Sequence, residues 1–108
     1  MTATLRTGQP LFAKIDLAAS GNVVAAVANK KIRVLSYAIL AASAVTAKWQ
    51  SATTPTDHSG AMSLAAAGGL VCPHNPAGWF ETNAGEALKL TLGSGVQVSG
   101  HLTYQILD

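Results

Sequence analysis

The C-terminal third of this chain alternates apolar and polar residues at period two for longer than any other segment. Leu88, Leu90 and Leu92 alternate with Ala87, Lys89 and Thr91; after Gly93-Ser94-Gly95, Val96, Val98, Gly100, Leu102, Tyr104 and Ile106 fall opposite Gln97, Ser99, His101, Thr103 and Gln105. Successive side chains of a strand point to opposite faces, so the pattern predicts two strands, each with one buried side. The glycines supply a turn where positive φ costs little, and the two strands are expected to form a hairpin.

The same period recurs upstream in short bursts broken by Gly, Pro, Asn and Ser. Leu11, Ala13, Ile15 and Leu17 alternate with Phe12, Lys14 and Asp16, which predicts a first strand. In the longest candidate, Ile32, Val34, Ser36, Ala38 and Leu40 share one face, and Lys31, Arg33, Leu35, Tyr37, Ile39 and Ala41 share the other. Its second half is apolar on both sides, as expected for a strand in mid-sheet or under a neighbouring subunit. Val45, Ala47 and Trp49 then alternate with Thr46, Lys48 and Gln50, before a polar loop over residues 51–60. Residues 62–67 and 70–72 are two shorter strand candidates, and a second long loop over residues 73–85 carries Trp79 and Phe80. A helix over residues 35–47 is the rival reading, since alanine is abundant there. The β-favouring Tyr37, Ile39, Val45 and Thr46 argue against it. The expected fold class is all-β, an antiparallel β-sandwich in a single domain, with residues 1–10 as an N-terminal arm and residues 11–108 as the sandwich.

Composition narrows the function. Charged residues make up 11% of the 108 positions and apolar residues 49%, whereas a typical soluble domain is about a quarter charged. So small a domain must leave neutral surface outside its own core, and that surface is expected to meet another protein. The net charge of +2 comes from seven cations and five anions, clustered only at Lys30, Lys31 and Arg33. Phosphate-backbone binding usually shows a wider basic stripe, so the trio reads first as a strand end kept soluble by charge, and second as a contact for nucleic acid or an acidic protein surface. No nucleic-acid partner is expected. The lone Cys72 permits no intrachain disulfide and fits folding in a reducing cytoplasm. Residues 1–10 contain no apolar run like a secretory signal, and the uncharged run over residues 34–47 is shorter than the roughly 20 residues of a membrane span. No membrane partner is expected.

Catalytic patterns are weak. Asp57, His58 and Ser59 are the residue types of a hydrolytic triad, but consecutive side chains cannot build a relay in which His bridges the other two. Cys72 and His74, with His58 or His101, give half of a zinc-site spacing and no second pair. Glu81 and Glu86 are loop carboxylates without a cleft to face across. No phosphate-binding or dinucleotide glycine motif occurs. The expectation is no enzyme, no cofactor and no metal. Trp79 and Phe80 are the more informative pair, either plugging one end of the sandwich or anchoring a partner.

The run from Pro76 through Gly78-Trp79-Phe80-Glu81 to Gly85-Glu86-Ala87-Leu88, followed by Val98, Gly100 and Tyr104, resembles the ending of small virion proteins of tailed bacteriophages. There a tryptophan-phenylalanine loop precedes a Gly-Glu-Ala-Leu strand and a closing Val-x-Gly-x-x-x-Tyr strand. The resemblance covers about the last third of the chain. It implies a jelly-roll-like sandwich acting as a head decoration or cement subunit, a homo-oligomer with a trimer favoured. The implied partner is the major capsid protein; the chain would be made in the bacterial cytoplasm and carried on the capsid surface. The alternative is a head- or tail-associated recognition module that binds host glycans through its loops. Candidate partner-contact residues are Arg6, Lys30, Lys31, Arg33, Trp79 and Phe80, with Arg6 the only charge of the arm.

Overall fold

The computed structural model describes residues 8–108, in which ten strands form two antiparallel sheets. The strands are β1 (Leu11–Leu17), β2 (Gly21–Val24), β3 (Lys31–Ala41), β4 (Val45–Ser51), β5 (Thr56–Asp57), β6 (Met62–Leu64), β7 (Gly69–Cys72), β8 (Phe80–Glu81), β9 (Leu88–Leu92) and β10 (Val98–Leu107). The first sheet runs β1-β10-β3-β7, with β8 also on β3; the second runs β2-β9-β4-β5, with β6 also on β4. Paired this way, the first half of the chain lies antiparallel along the second half. β1 meets β10, β2 meets β9, β3 meets β7 and β8, and β4 meets β5 and β6. A chain doubled back on itself and wrapped into two facing sheets is a jelly roll, and the all-β sandwich expected from the alternation is what forms. Arg6 and most of the arm lie outside the described residues. Gly8 is tied to β10, donating its N–H to the Ile106 carbonyl (2.9 Å) and accepting from Gln105 Nε2 (2.7 Å).

The faces of β1, β4, β9 and β10 are those the alternation predicts. Ile15, Trp49, Leu88, Leu90, Leu102 and Ile106 are fully buried between the sheets. Burying each such side chain contributes about 1.5–3 kcal/mol against the entropy of ordering the chain.

Two expectations fail, for separate reasons. The predicted hairpin across residues 93–95 does not exist, because β9 belongs to the second sheet and β10 to the first. Both strands bury their apolar side in one core from opposite walls, a solution that alternation alone does not distinguish from a hairpin. Neither Gly93 nor Gly95 has a positive φ. Gly93 is small for another reason: its N–H bonds the Thr46 carbonyl (2.9 Å), and a Cβ there would sit 2.3 Å from Thr46 Oγ1.

The second failure is along β3. Ile32 and Val34 join the core as expected, but so do Tyr37, Ile39 and Ala41, while Ser36, Ala38 and Leu40 lie on the other face and Leu35 is buried apart from the core cluster. The cause is a β-bulge: Thr103 pairs with Ser36 and Tyr104 with Val34, leaving Leu35 as an extra residue on β3. One extra residue reverses the side-chain alternation beyond it. Backbone from the loop between β7 and β8 fills this stretch, with Asn75 N donating to the Leu35 carbonyl (2.9 Å) and Trp79 N to the Val34 carbonyl (2.8 Å).

Candidate partner-contact surface

The bulge decides what the outside of the first sheet presents. Beyond it, register aligns Lys14, His101, Ala38 and Val71 in one row across the outer face, and Asp16, Ser99, Leu40 and Gly69 in the next. Phe12, Thr103 and Ser36 form a third row. Val71 is 71% exposed, Leu40 53% and Phe12 82%. Around the first two lies a shallow apolar groove of about 260 Å³, lined by Ala38, Leu40, Gly69, Val71, Ser99 and Gly100. Aside from the Lys14–Asp16 pair on β1, these three rows carry no Lys, Arg, Asp or Glu.

The outer face of the second sheet is different in kind. Gln50 Nε2 donates to Asp57 Oδ1 (2.6 Å), Lys48 pairs with the same carboxylate (3.4 Å), and the Thr91 hydroxyl donates to Gln50 Oε1. The amide of Gln50, with Lys48 beside it, holds the exposed Asp57 carboxyl below its ordinary range. Among the described residues, the first wall and not the second therefore offers exposed large apolar side chains on a neutral background.

The basic trio is largely neutralised. Lys30 pairs with Asp108, and Arg33 donates from Nε (3.3 Å) and Nη2 (3.2 Å) to Glu81 Oε2 across the β3–β8 ladder. Lys31, on the same outward side as Arg33, is half-buried at the start of β3. Trp79 and Phe80 are divided between a bend, which holds Trp79, and β8, which begins at Phe80. Phe80 turns inward, with its ring 5.9 Å from the Trp49 ring and stacked on His58 at 5.9 Å. Trp79 is 45% exposed, and its indole N–H donates to the Pro73 carbonyl (2.9 Å).

The fold also makes a contact that the sequence reading missed. β5 pairs Gln50 with Asp57 and Ser51 with Thr56, which places the Ser51 hydroxyl 2.7 Å from His58 Nε2. Asn83 N donates to the same hydroxyl (3.0 Å), so Ser51 links His58 to the backbone ahead of Gly85. Seven residues separate Ser51 and His58, and only the β4–β5 pairing brings them together; the signal available was the turn-forming run Thr53-Thr54-Pro55 between two extended segments. Asp57 and Ser59 take other work, Asp57 on Gln50 and Ser59 accepting from Trp49 N (3.0 Å). Ser51 has no exposed surface, so the pair braces the corner under Phe80 without presenting a nucleophile.

Burial lowers the His58 pKa, and the Glu86 and Asp57 carboxylates offset part of the shift. A histidine depressed in the folded state binds its proton first in the unfolded chain, whose value is near 6.5. Stability is therefore full above about pH 6.5 and falls as pH drops through the window between that value and the lower folded one. Urea midpoints at pH 7.5 and 5.5 are expected to show this loss, and His58→Gln to reduce it. An unchanged pH slope in the variant would contradict the assignment.

On the inner side, Tyr37 packs edge-on to Trp49 at 5.2 Å and its hydroxyl donates to Met62 Sδ (3.7 Å). Burial and the neighbouring Cys72 push its pKa well above the usual phenol range. Among the described residues, no group of three or more His, Cys, Asp or Glu is placed to hold a metal ion, and no helix is long and apolar enough to cross a membrane. Comparison with protein-family models, with curated proteins and with solved structures finds no match for this chain.

Proposed function

We propose that this chain is a structural virion protein that decorates and stabilises a bacteriophage capsid by surface contact, with copies of itself and the major capsid protein as partners. The observation that carries the reading is the outer face of the first sheet, where Val71 and Leu40 stand exposed on a nearly uncharged wall. Such a patch on so small a domain costs solubility unless something covers it. A cement subunit acts through area and shape, and many copies on one shell multiply a modest energy per contact. No cofactor enters this reading. The glycan-binding alternative is the weaker one, because the indole N–H of Trp79 is committed to Pro73.

The test is co-sedimentation with expanded shells assembled from the major capsid protein encoded in the same genome. Wild-type chain is expected to bind to a fixed number of copies per shell. The double variant Leu40→Asp, Val71→Asp is expected to lose that binding at least tenfold while changing stability by less than about 1 kcal/mol, since both positions are exposed. Wild-type protein that ignores shells at every concentration would remove the proposal.

A further inference from the structure

Among the described residues, β1 is the one long sheet edge with no strand, bulge, Pro or Gly to guard it. The opposite edge of the first sheet is split between β7, four residues, and β8, two residues; in the second sheet β2 has four residues and a bulge, and β5 and β6 have two and three. β1 pairs with β10 without a break over seven residues, contains no Pro or Gly, and among the described residues has no strand on its other side. An edge of this kind is a template for another strand unless short length, bulges, Pro or charge blunt it. β1 does carry charge on its outer face, Lys14 (side chain 81% exposed) and Asp16 (59%), with their charged atoms 4.0 Å apart.

That charge selects a partner and a register. We propose that two copies of this chain pair β1 against β1 about a two-fold axis at Ile15, joining their first sheets into one continuous sheet. In this register residue 14 of each copy lies opposite residue 16 of the other, so both lysines face aspartates. Moving the axis to residue 14 sets lysine against lysine, and moving it to residue 16 sets aspartate against aspartate. A shift by a single residue turns Ile15 and its inward neighbours toward solvent. The strand is thus self-complementary, the property an isologous interface requires.

The same register brings Phe12 opposite the small, exposed Ala18 just past the partner strand's end, covering the most exposed large apolar side chain of the face. It leaves Pro10 outside the paired stretch. Main-chain hydrogen bonds supply the affinity in strand addition and side chains the specificity. A three-fold ring closed through β1 by strand pairing would instead need it to match β7 or β8 of the next copy, edges of four and two residues against the seven of β1.

This contact rests on the preceding reading only for the premise that copies associate; attachment to a shell is scored separately by co-sedimentation. Sedimentation equilibrium of the full chain up to several hundred micromolar is the experiment. The expected result is a reversible species of twice the 11.0 kDa chain mass. Lys14→Asp alone and Asp16→Lys alone each turn two attractive cross-strand pairs into repulsive ones and are expected to weaken pairing by about thirtyfold. An equimolar mixture of the two variants restores both opposite-charge pairs and is expected to dimerise as the wild type does. Both positions are exposed, and circular dichroism is run on each variant to check that it folds. A wild type that stays monomeric, a trimer, a dimer indifferent to the charge reversals, or a mixture that fails to associate would each overturn the proposal.

Discussion

Trp49→Ala is expected to cost about 4 kcal/mol of folding stability, the range for deleting a large buried aromatic. Trp49 sits on β4 with no exposed surface, and its ring meets Tyr37 of β3 edge-on and Phe80 of β8 at 5.9 Å. One side chain of the second sheet therefore packs against two strands of the first, and truncating it leaves a void where neither wall can close. Total stability of a domain this size is about 5–15 kcal/mol, so the variant should unfold at far lower urea or not fold at 37 °C. Trp49→Phe, which keeps most of the ring volume, should retain well over half of the lost stability. Urea denaturation followed by circular dichroism reads both; a loss under 1 kcal/mol for the alanine variant would mean the sheets do not pack as described.

Gly100→Ala is expected to destabilise by about 3 kcal/mol, with opposite sign to an ordinary Gly→Ala change, which usually gains about 0.4–1 kcal/mol. Gly100 lies in β10, between Ile15 of β1 and Ile39 of β3, with φ of 157°. A Cβ there would fall 1.8 Å from the Ala38 carbonyl oxygen and 3.1 Å from Ile39 Cα. Those atoms are backbone of an inner strand held on its far side by β7, so relief requires the central ladder to part. Gly60→Ala is the matched control, since nothing lies within 4 Å of a Cβ at that position; it should be neutral or mildly stabilising. Equal melting temperatures for the two alanine variants would contradict the close approach.

Together these variants mark where local pattern and three-dimensional packing part company. Alternation identified the buried sides of β1, β4, β9 and β10, because a strand's period of two is a property of the backbone alone. It did not reveal the switch at Leu35, since a bulge is defined by the partner strand that pairs around it. Phe80 and Trp79 are a second case. Phe80 opens β8 with its ring in the core while Trp79 sits in the bend before it, so their division was set by where the strand begins, which the loop-like composition of residues 73–85 did not show. The Ser51–His58 bond was hidden because it depends on a two-residue pairing inside a segment whose composition reads as loop.

The neutral outer wall of the first sheet follows the same division. Low charge along the chain pointed to a neutral exterior meeting a partner. Which residues form it depended on register: Val71 lies far along the chain from Leu40 and Ala38 and shares a face with them only because β7 pairs with β3 beyond the bulge. The basic trio was conspicuous in sequence but is mostly spent on Asp108 and Glu81, partners that the ladder and the chain end bring to it.

Read by itself, the chain determined that it would be a sandwich of strands with alternating faces and few ionised groups, since both follow from side-chain direction and the cost of exposing apolar area. Sheet membership, the reversal along β3, and the neutral wall with its open β1 edge were decided by the tertiary structure alone. These are relations between segments distant in sequence, set by hydrogen-bond register and close packing, and no single segment carries them.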